Sequence, residues 1–548
     1  MMIKFGDLLT QSPTGWQWHI PEQFNIAYAC LRQHVEHSNG DKTALVVEDD
    51  TLGSSALSYA ELDDLSGRFV HGLREMGLNP GDRVLIRLPN AIDFPVSFFG
   101  CLKFGAVAVP TSPLLSAPEV VYLAIDSGAR ILVTHKSMWP ELSPMLLEDT
   151  QLECIVLTGT GDMPADTSRA GIRVLELEKL LASSPIDDSI IASSPDDPAY
   201  LVYTSGTTGY PKGVLHAHRS LLGRQPSSHF WFDFKSGDRI IHSGKFNWTY
   251  VLGTGLMDPL FHGHTVIVYE GKNDVSIWPR LIKKYDCTIF IGVPTIYRQI
   301  IQKTDFSGAD VPSLRHCMSA GEHLSDEMLF RWRDRFGMDI YEAIGMSEFS
   351  YYISQNKQQP IRPGAAGFIQ PGHDVVLLNN HHQPVNAGEE GMIAIRDTDP
   401  GLFLGYWRLP DETAKSYSDG YFLTGDYARI DEDGYIWFVG RKDDIINTFG
   451  YRVSPHEIER VMKNHPDVAD CVALGETSGK DKILVSVCII PRPDATATEQ
   501  DILEFGRNNL AKYKAPKRVH FYQEFPRTNN GKVLRKQMLA ELDGEQPL

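Results

Sequence analysis

Residues 204–213, Thr204-Ser205-Gly206-Thr207-Thr208-Gly209-Tyr210-Pro211-Lys212-Gly213, place four aliphatic hydroxyls, three glycines and one lysine within ten positions. The apolar run Tyr200-Leu201-Val202-Tyr203 comes directly before them. A strand ending in such a loop can wrap backbone N–H groups and hydroxyl donors around a phosphate chain. The glycines permit close approach, and Lys212 supplies a mobile positive charge. A nucleoside triphosphate is the natural guest. The loop is not a Walker A pattern, because no Gly-Lys-Ser/Thr triplet closes it ahead of a helix. The same composition also describes a Ser/Gly-rich surface turn, so other segments must decide.

Three further segments carry chemistry. Tyr341-Glu342-Ala343-Ile344-Gly345-Met346-Ser347-Glu348 offers Glu348 to a hydrated Mg²⁺ that bridges phosphates, and Ser347 as a donor or a helix cap. Tyr421-Phe422-Leu423-Thr424-Gly425-Asp426 puts one carboxylate just after a strand, where it can accept both ribose hydroxyls. Pro526-Arg527-Thr528-Asn529-Asn530-Gly531-Lys532 carries a lysine behind a polar, glycine-containing loop. A cation there lowers the barrier to a reaction in which charge grows on a phosphate. It also reads as one more solvated lysine on a basic face. His216 and His218 have no acidic or cysteine partner at metal-ligand spacing, and Asp431–Asp433 reads as a turn.

Elements that position these residues follow from periodicity. Leu62, Leu65, Phe69 and Leu73 predict a helix over 60–76. Strands at 83–86, 106–109 and 129–133 alternate with helices near 93–102 and 117–127, and the alternation recurs over 266–293. This is the pattern of a helix-covered parallel sheet. Residues 364–396 change to short strands with Gly, Asn and Pro turns, which predicts an antiparallel or barrel-like part. Near 440 a charged stretch reads as a linker. Ser454-Pro455-His456-Glu457 then opens a helix, a strand covers 482–490 and a helix lies near 498–510. The expected fold is α/β. A large domain over 1–440 contains a barrel-like subdomain at about 364–440. A hinge at 441–444 leads to a small, mobile α+β domain over 445–548.

At 548 residues with 42% hydrophobic and 22% charged residues, the chain suits a folded protein of two or more domains. Its net charge of -18 disfavours a broad nucleic-acid face. The seven cysteines form no CxxC pair, which suits reduced thiols in the cytoplasm. No apolar run is long enough for a membrane span, and an acid, Asp7, stands where a signal peptide would be apolar.

The four segments, in this order and spacing, resemble the adenylate-forming (ANL) superfamily of acyl-CoA synthetases, luciferases and peptide-synthetase adenylation domains, over about residues 25–540. The resemblance implies the cofactors ATP and Mg²⁺, with coenzyme A as co-substrate. It implies that Thr204, Ser205, Gly206, Thr207, Thr208, Gly209 and Lys212 embrace the phosphates. Ala320, Gly321 and Glu322 would border the adenine, with Glu342, Ile344 and Ser347 nearby. Glu348 matches the magnesium glutamate, Asp426 the ribose carboxylate and Arg441 the arginine near ribose and phosphate. Asp443 matches the hinge residue and Lys532 the lysine required for adenylation. Gly450, followed by Tyr451 and Arg452, matches the glycine beside the thiol tunnel.

The acid site would be lined by Trp248, Tyr250, Gly345 and Met346. The segment 244–253 is aromatic and contains no carboxylate, which disfavours α-amino acids because a desolvated ammonium would lack its counter-charge. Tyr250 and Ile344 are similar to the residues of benzoate-CoA ligases at those places, so an aromatic or other cyclic acid is expected. A medium-chain aliphatic acid remains open, as does transfer to a carrier protein instead of free CoA. The expected partners are therefore small molecules, with the protein a monomer or homodimer.

Overall fold

The computed structural model describes residues 5–12, 15–50, 53–142, 150–163, 172–204, 211–272, 274–321, 324–441, 444, 446–448, 451–478, 483–510, 512, 514–527 and 533–543. The side chains of Asn447, Tyr451, Arg452 and Asp543 lie outside that description. The chain divides into two compact units. One comprises 1–361, 369–374 and 397–416; the other comprises 362–368, 375–396 and 417–548.

Two large sheets and the hairpin of Leu9–Ser12 with Gly15–Trp18 lie in the first unit. The strand order of one is Gly405–Tyr406, Lys212–Ala217, Pro198–Thr204, Val107–Pro110, Arg83–Arg87, Ile131–His135, Cys154–Thr158 and Arg173–Glu176. From Pro198–Thr204 to Arg173–Glu176 all neighbours are parallel, as the alternation of apolar strands and amphipathic helices predicts. Helix Tyr59–Glu75 forms where the periodicity places it. It begins on a reciprocal cap in which the Glu61 N–H donates to Ser58 Oγ at 3.2 Å and the Ser58 N–H to Glu61 Oε2 at 2.8 Å. Such a cap is worth about 1 kcal/mol. Val120, Leu123 and Ala124 of helix Ala117–Ser127 pack on Leu85, Val109, Leu132 and Ile155 of the sheet. Each fully buried aliphatic side chain contributes about 1.5–3 kcal/mol.

The other sheet runs Ile353–Ser354, Ile340–Ile344, His316–Ala320, Ile289–Gly292, Arg239–His242, Thr265–Glu270, Thr43–Asp49 and Gly53–Ser58. Its interior strands are parallel, and its carboxyl edge ends at Ala320 and Ile344, two of the positions singled out from the sequence. Trp332 and Tyr297 pack against Phe290, Cys317 and Ile340 beneath it.

The second unit holds the antiparallel sheet expected from 364 onward, with strands Val375–Leu378, Glu390–Arg396, Tyr417–Ser418, Tyr421–Ile430 and Ile436–Arg441. It also holds Val468–Thr477, Ile483–Pro491 and Arg518–Phe521, packed by Ile458, Met462 and Ile502 of helices Pro455–Met462 and Glu499–Asn509. The linker read near 440 falls inside this unit. There Ser454 Oγ donates to the Val439 carbonyl, and the His456 ring lies 5.5 Å from that of Phe438. All seven cysteines are buried and none is in a disulfide; Cys317 is a small core residue. No helix of the described residues is long and apolar enough to cross a membrane.

Candidate active site

Strand Pro198–Thr204 buries Ala199, Tyr200, Leu201 and Val202 and pairs antiparallel with Lys212–Ala217, so Thr204 stands opposite Lys212. The glycine- and hydroxyl-rich segment is thus the connection of a hairpin. Within it, Ser205, Gly206, Thr207, Thr208 and Gly209 lie outside the described residues. Lys212 Nζ is 5.6 Å from the centre of the Tyr406 ring and 3.0 Å from Glu412 Oε2. Tyr406 belongs to the short strand at the edge of the same sheet, with Val214 as its register partner, and its phenol donates to Glu348 Oε1 at 2.8 Å. One tyrosine therefore touches both Lys212 and Glu348. The sequence reading missed it, because a tyrosine in a Gly-Tyr-Trp run carries no signal before the sheet edge is known.

Strand Ile340–Ile344 brings up the second segment. Glu342 is buried, accepts the Leu324 N–H at 2.9 Å and donates its own N–H to Gln355 Oε1 at 2.9 Å. Burial pushes its carboxyl up to about 8, with Asp326 adding to the effect, so it is neutral at pH 7. Past the strand, the Ser347 carbonyl takes a hydrogen bond of 2.7 Å from His216 Nε2, and Ser347 Oγ lies 3.5 Å from Thr249 Oγ1. Burial lowers His216 to about 4, so the ring is neutral; the contact to a carbonyl requires the proton on Nε2. The Glu348 carbonyl accepts the Phe403 N–H at 2.9 Å. Arg224, buried against Asp258 through Nε–Oδ1 of 2.8 Å and Nη2–Oδ2 of 2.5 Å, also donates to Ser350 Oγ. The segment carrying Ser347 and Glu348 is thus held on both sides. His218, lowered by burial to about 3, accepts the Ile26 N–H at 3.1 Å. Among the described residues neither histidine belongs to a group of three or more metal-ligating side chains.

The acid-site candidates meet in an aromatic wall. Trp248 and Tyr250 stand edge to face with ring centres 5.2 Å apart, and Tyr250 meets Tyr351 at 5.5 Å and His242 at 4.7 Å. Gly321, at φ +91, would put a Cβ 3.3 Å from Trp248 Cη2, so both backbone angle and neighbour call for glycine. At Gly345 a Cβ would come 2.8 Å from the Tyr351 ring. Tyr351 is a second residue absent from the sequence reading, found only because Gly345 lets it in. Ala320 is buried and packs in the same cluster as this wall, Ile344 and Met346 are half-buried, and Glu322 lies outside the described residues. Lys245, on the same segment as Trp248, is paired with Glu270 at 2.7 Å.

In the second unit Asp426 is buried, and its Oδ1 accepts from Arg441 Nε at 3.0 Å, with Arg441 directly opposite it in the sheet. Asp426 lies within the strand Tyr421–Ile430, not after one as expected. The pairing with Glu390–Arg396 shifts register between Leu423 and Tyr427, the stretch that contains Asp426. Asp426 keeps the alternation of buried positions set by Phe422 and Thr424, so the carboxylate faces inward with them. Asp443, Gly450 and Lys532 lie outside the described residues, as do the side chains of Tyr451 and Arg452. The described residues on either side of Lys532 are held within the unit. Arg527 pairs with Asp470 at 3.0 Å, Arg535 pairs with Glu459 at 2.6 Å, and Arg527 bridges to Val533. Burial alone would raise Glu459, yet Arg535, His456 and Lys463 hold its carboxyl well below the usual range. Lys514 and Arg518 are also paired, with Glu457 and Glu476, so part of the basic carboxyl-terminal stretch is neutralised inside the unit.

Comparison with known proteins agrees with this geometry. The AMP-binding enzyme model matches residues 31–407, and the AMP-binding enzyme C-terminal domain matches 457–532. Mouse mitochondrial acyl-coenzyme A synthetase ACSM3 is 30% identical over 98% of this chain and 96% of its own length. Benzoate–CoA ligase of Thauera aromatica is 31% identical over 94% of this chain and 96% of its own. Among solved structures, the anthranilate CoA ligase AuaEII bound to anthranoyl-AMP superposes with a TM-score of 0.85 at 28% identity, covering 95% and 98% of the two chains.

Proposed function

The chain belongs to the AMP-binding enzyme family, and from that premise we propose that it is an AMP-forming acid–thiol ligase whose acid is aromatic or otherwise cyclic and whose thiol is coenzyme A. The observation that carries the reading is the Lys212–Tyr406–Glu348 linkage, in the same unit as a wall of Trp248, Tyr250 and Tyr351 that contributes no carboxylate. The similarity to benzoate–CoA and anthranilate CoA ligases supports the cyclic acid.

A carboxylate resists a thiol because its leaving group would be oxide. In the first step a carboxylate oxygen bonds to the α-phosphorus of ATP, the bond to the bridging oxygen breaks, and pyrophosphate leaves with the electron pair. In the second the thiol gives its proton to solvent, its sulfur bonds to the acyl carbon, and AMP leaves with the carbon–oxygen electron pair. Lys212 and Lys532 offset charge in the first step. Asp426 takes the ribose hydroxyls and Arg441 orients Asp426. The neutral Glu342 and the positive-φ Gly321 border the base. Trp248, Tyr250, Gly345 and Met346 line the acid, and the backbone around Gly450 admits the thiol arm. Asp443 serves as the hinge between the steps. Glu348, half-buried with a neutral phenol on it, suits Mg²⁺, which takes one or two carboxylates and completes its shell with phosphate and water. Among the described residues there is no denser cluster of metal-ligating groups. Bound there, the ion would spread phosphate charge.

Pyrophosphate release with ATP and Mg²⁺ across benzoate, aminobenzoates, cyclohexanecarboxylate, hexanoate and octanoate tests this reading. Benzoates are expected to lead in kcat/KM, with thioester appearing on addition of CoA. An aliphatic acid is the second reading, favoured by the equal similarity to an acyl-coenzyme A synthetase, and a lead for hexanoate or octanoate would install it. Failure of every acid to release pyrophosphate would overturn the ligase.

A further inference from the structure

The segment 405–415 reaches across the edge strand Lys212–Ala217 and touches both ends of the phosphate machinery. Its strand Gly405–Tyr406 pairs with Leu215 and Val214, the Trp407 N–H donates to the Gly213 carbonyl at 2.8 Å, and Tyr406 carries the contacts already described. The Tyr406 N–H donates to Thr413 Oγ1 at 2.8 Å, which in turn donates to the Leu409 carbonyl at 3.0 Å. The turn after the strand is thereby folded back on it. That turn is the short helix Pro410–Lys415, none of whose residues is buried. From it Glu412 extends Oε2 to Lys212 Nζ at 3.0 Å and Oε1 to Lys415 Nζ at 2.9 Å.

On the ligase reading, Lys212 must give its ammonium protons to phosphate oxygens. In this structure one of them is taken by a carboxylate that no chemical step requires. We propose that Glu412 is a latch for Lys212: a positioning residue that holds the ammonium beside Tyr406 and hands it over when a triphosphate enters. The arrangement suits a latch more than a fixed scaffold. The pair is only part-buried, with side-chain exposures of 28% for Lys212 and 38% for Glu412, so it is weak enough for an incoming polyanion to displace. Lys415 remains as counter-ion once Lys212 leaves, so Glu412 is not stranded. The two lysines together hold the Glu412 carboxyl down to about 2, so it is charged throughout the working pH range. Tyr406, its backbone paired into the sheet edge, keeps its ring beside the ammonium while Lys212 changes partner.

The inference rests on the ligase reading, and its test is arranged so that the two can fail separately. ATP is titrated calorimetrically into the acid-free protein as wild type, Glu412→Gln, Lys212→Ala and the double variant. Glu412→Gln is expected to bind ATP about two- to five-fold more tightly, the size of a part-exposed ion pair. Its KM for ATP should fall correspondingly in pyrophosphate release, without a rise in kcat. In the Lys212→Ala background the same substitution is expected to change nothing, since the latch has lost its partner. Equal or weaker ATP binding by Glu412→Gln overturns the latch. An equal gain with and without Lys212 also overturns it, because that would be a general effect of removing a negative charge. Wild type that binds no ATP overturns the ligase reading itself and the latch with it.

Discussion

Glu342 shows how far burial alone can change what a residue offers. Read from the sequence it is one acid among several next to a nucleotide site; in the structure it is a neutral carboxylic acid beside the Leu324 N–H. Its pKa in the fold, about 8, lies above the ordinary 4.5, so the folded state binds the proton more tightly than the unfolded chain. The stability this contributes is complete below pH 4.5 and is lost as pH rises through 8. Glu342→Gln mimics the neutral acid at every pH. Its melting temperature is therefore expected to gain on wild type between pH 5 and pH 8, while ATP binding at pH 6 stays within about two-fold, as for a near-isosteric neutral swap. A melting-temperature gap that does not widen with pH would refute the neutral state.

At the scale of elements, the site depends on a connection between the two sheets of the first unit. His216 on strand Lys212–Ala217 donates to the carbonyl of Ser347, beyond strand Ile340–Ile344, while its ring stacks on Tyr200 with centres 4.8 Å apart. Tyr406 then meets Lys212 with its ring and Glu348 with its hydroxyl. His216→Phe keeps the stacking and removes the donor, leaving a carbonyl without its partner. The expected cost is about 1–3 kcal/mol, read as roughly a 5- to 160-fold loss in kcat/KM for ATP. Benzoate KM should move less, because the wall of Trp248, Tyr250 and Tyr351 is held by its own ring contacts. Equal losses for both substrates would make His216 a residue of general packing. That histidine was read from the sequence only as a non-ligand; its role needed the second sheet.

The molecule as a whole has an acid weakness that differs between its units. In the first unit burial lowers His216 and His262 to about 4, and His218, His242, His264 and His316 to about 3. These groups stay neutral in the fold while the unfolded chain takes up protons below about 6.5. Stability is thus present above 6.5 and falls as pH drops through 4 and 3, by about 1.4 kcal/mol per pH unit for each histidine still neutral. In the second unit Glu459 is a buried carboxylate of the opposite kind, whose depressed pKa protects until ordinary carboxylates begin to protonate, near 4.3, and fails below that. Pulse-labelled hydrogen exchange after equilibration at pH 7 to 4 is expected to expose peptides from 212–264 and 316 before those around 459. The reverse order would show that the histidines are not the determinant.

Local chemistry is what the chain's order of residues determined by itself. The spacing of Leu62, Phe69 and Leu73, the cap at Ser454-Pro455, the alternation of strand and helix, and the segments holding Lys212, Glu348, Asp426 and Lys532 are short-range patterns. They need no knowledge of what packs on them. The family and its reaction class were legible for the same reason. Tertiary structure alone decided that Tyr406 lies between Lys212 and Glu348, that Tyr351 completes the wall beside Gly345, and that Glu412 holds the lysine. It also decided that residues 375–396 and 417–440 group with the carboxyl-terminal part of the chain. Each of these depends on which strand edges meet across long stretches of sequence. That is set by the burial of whole faces, a property no single segment carries.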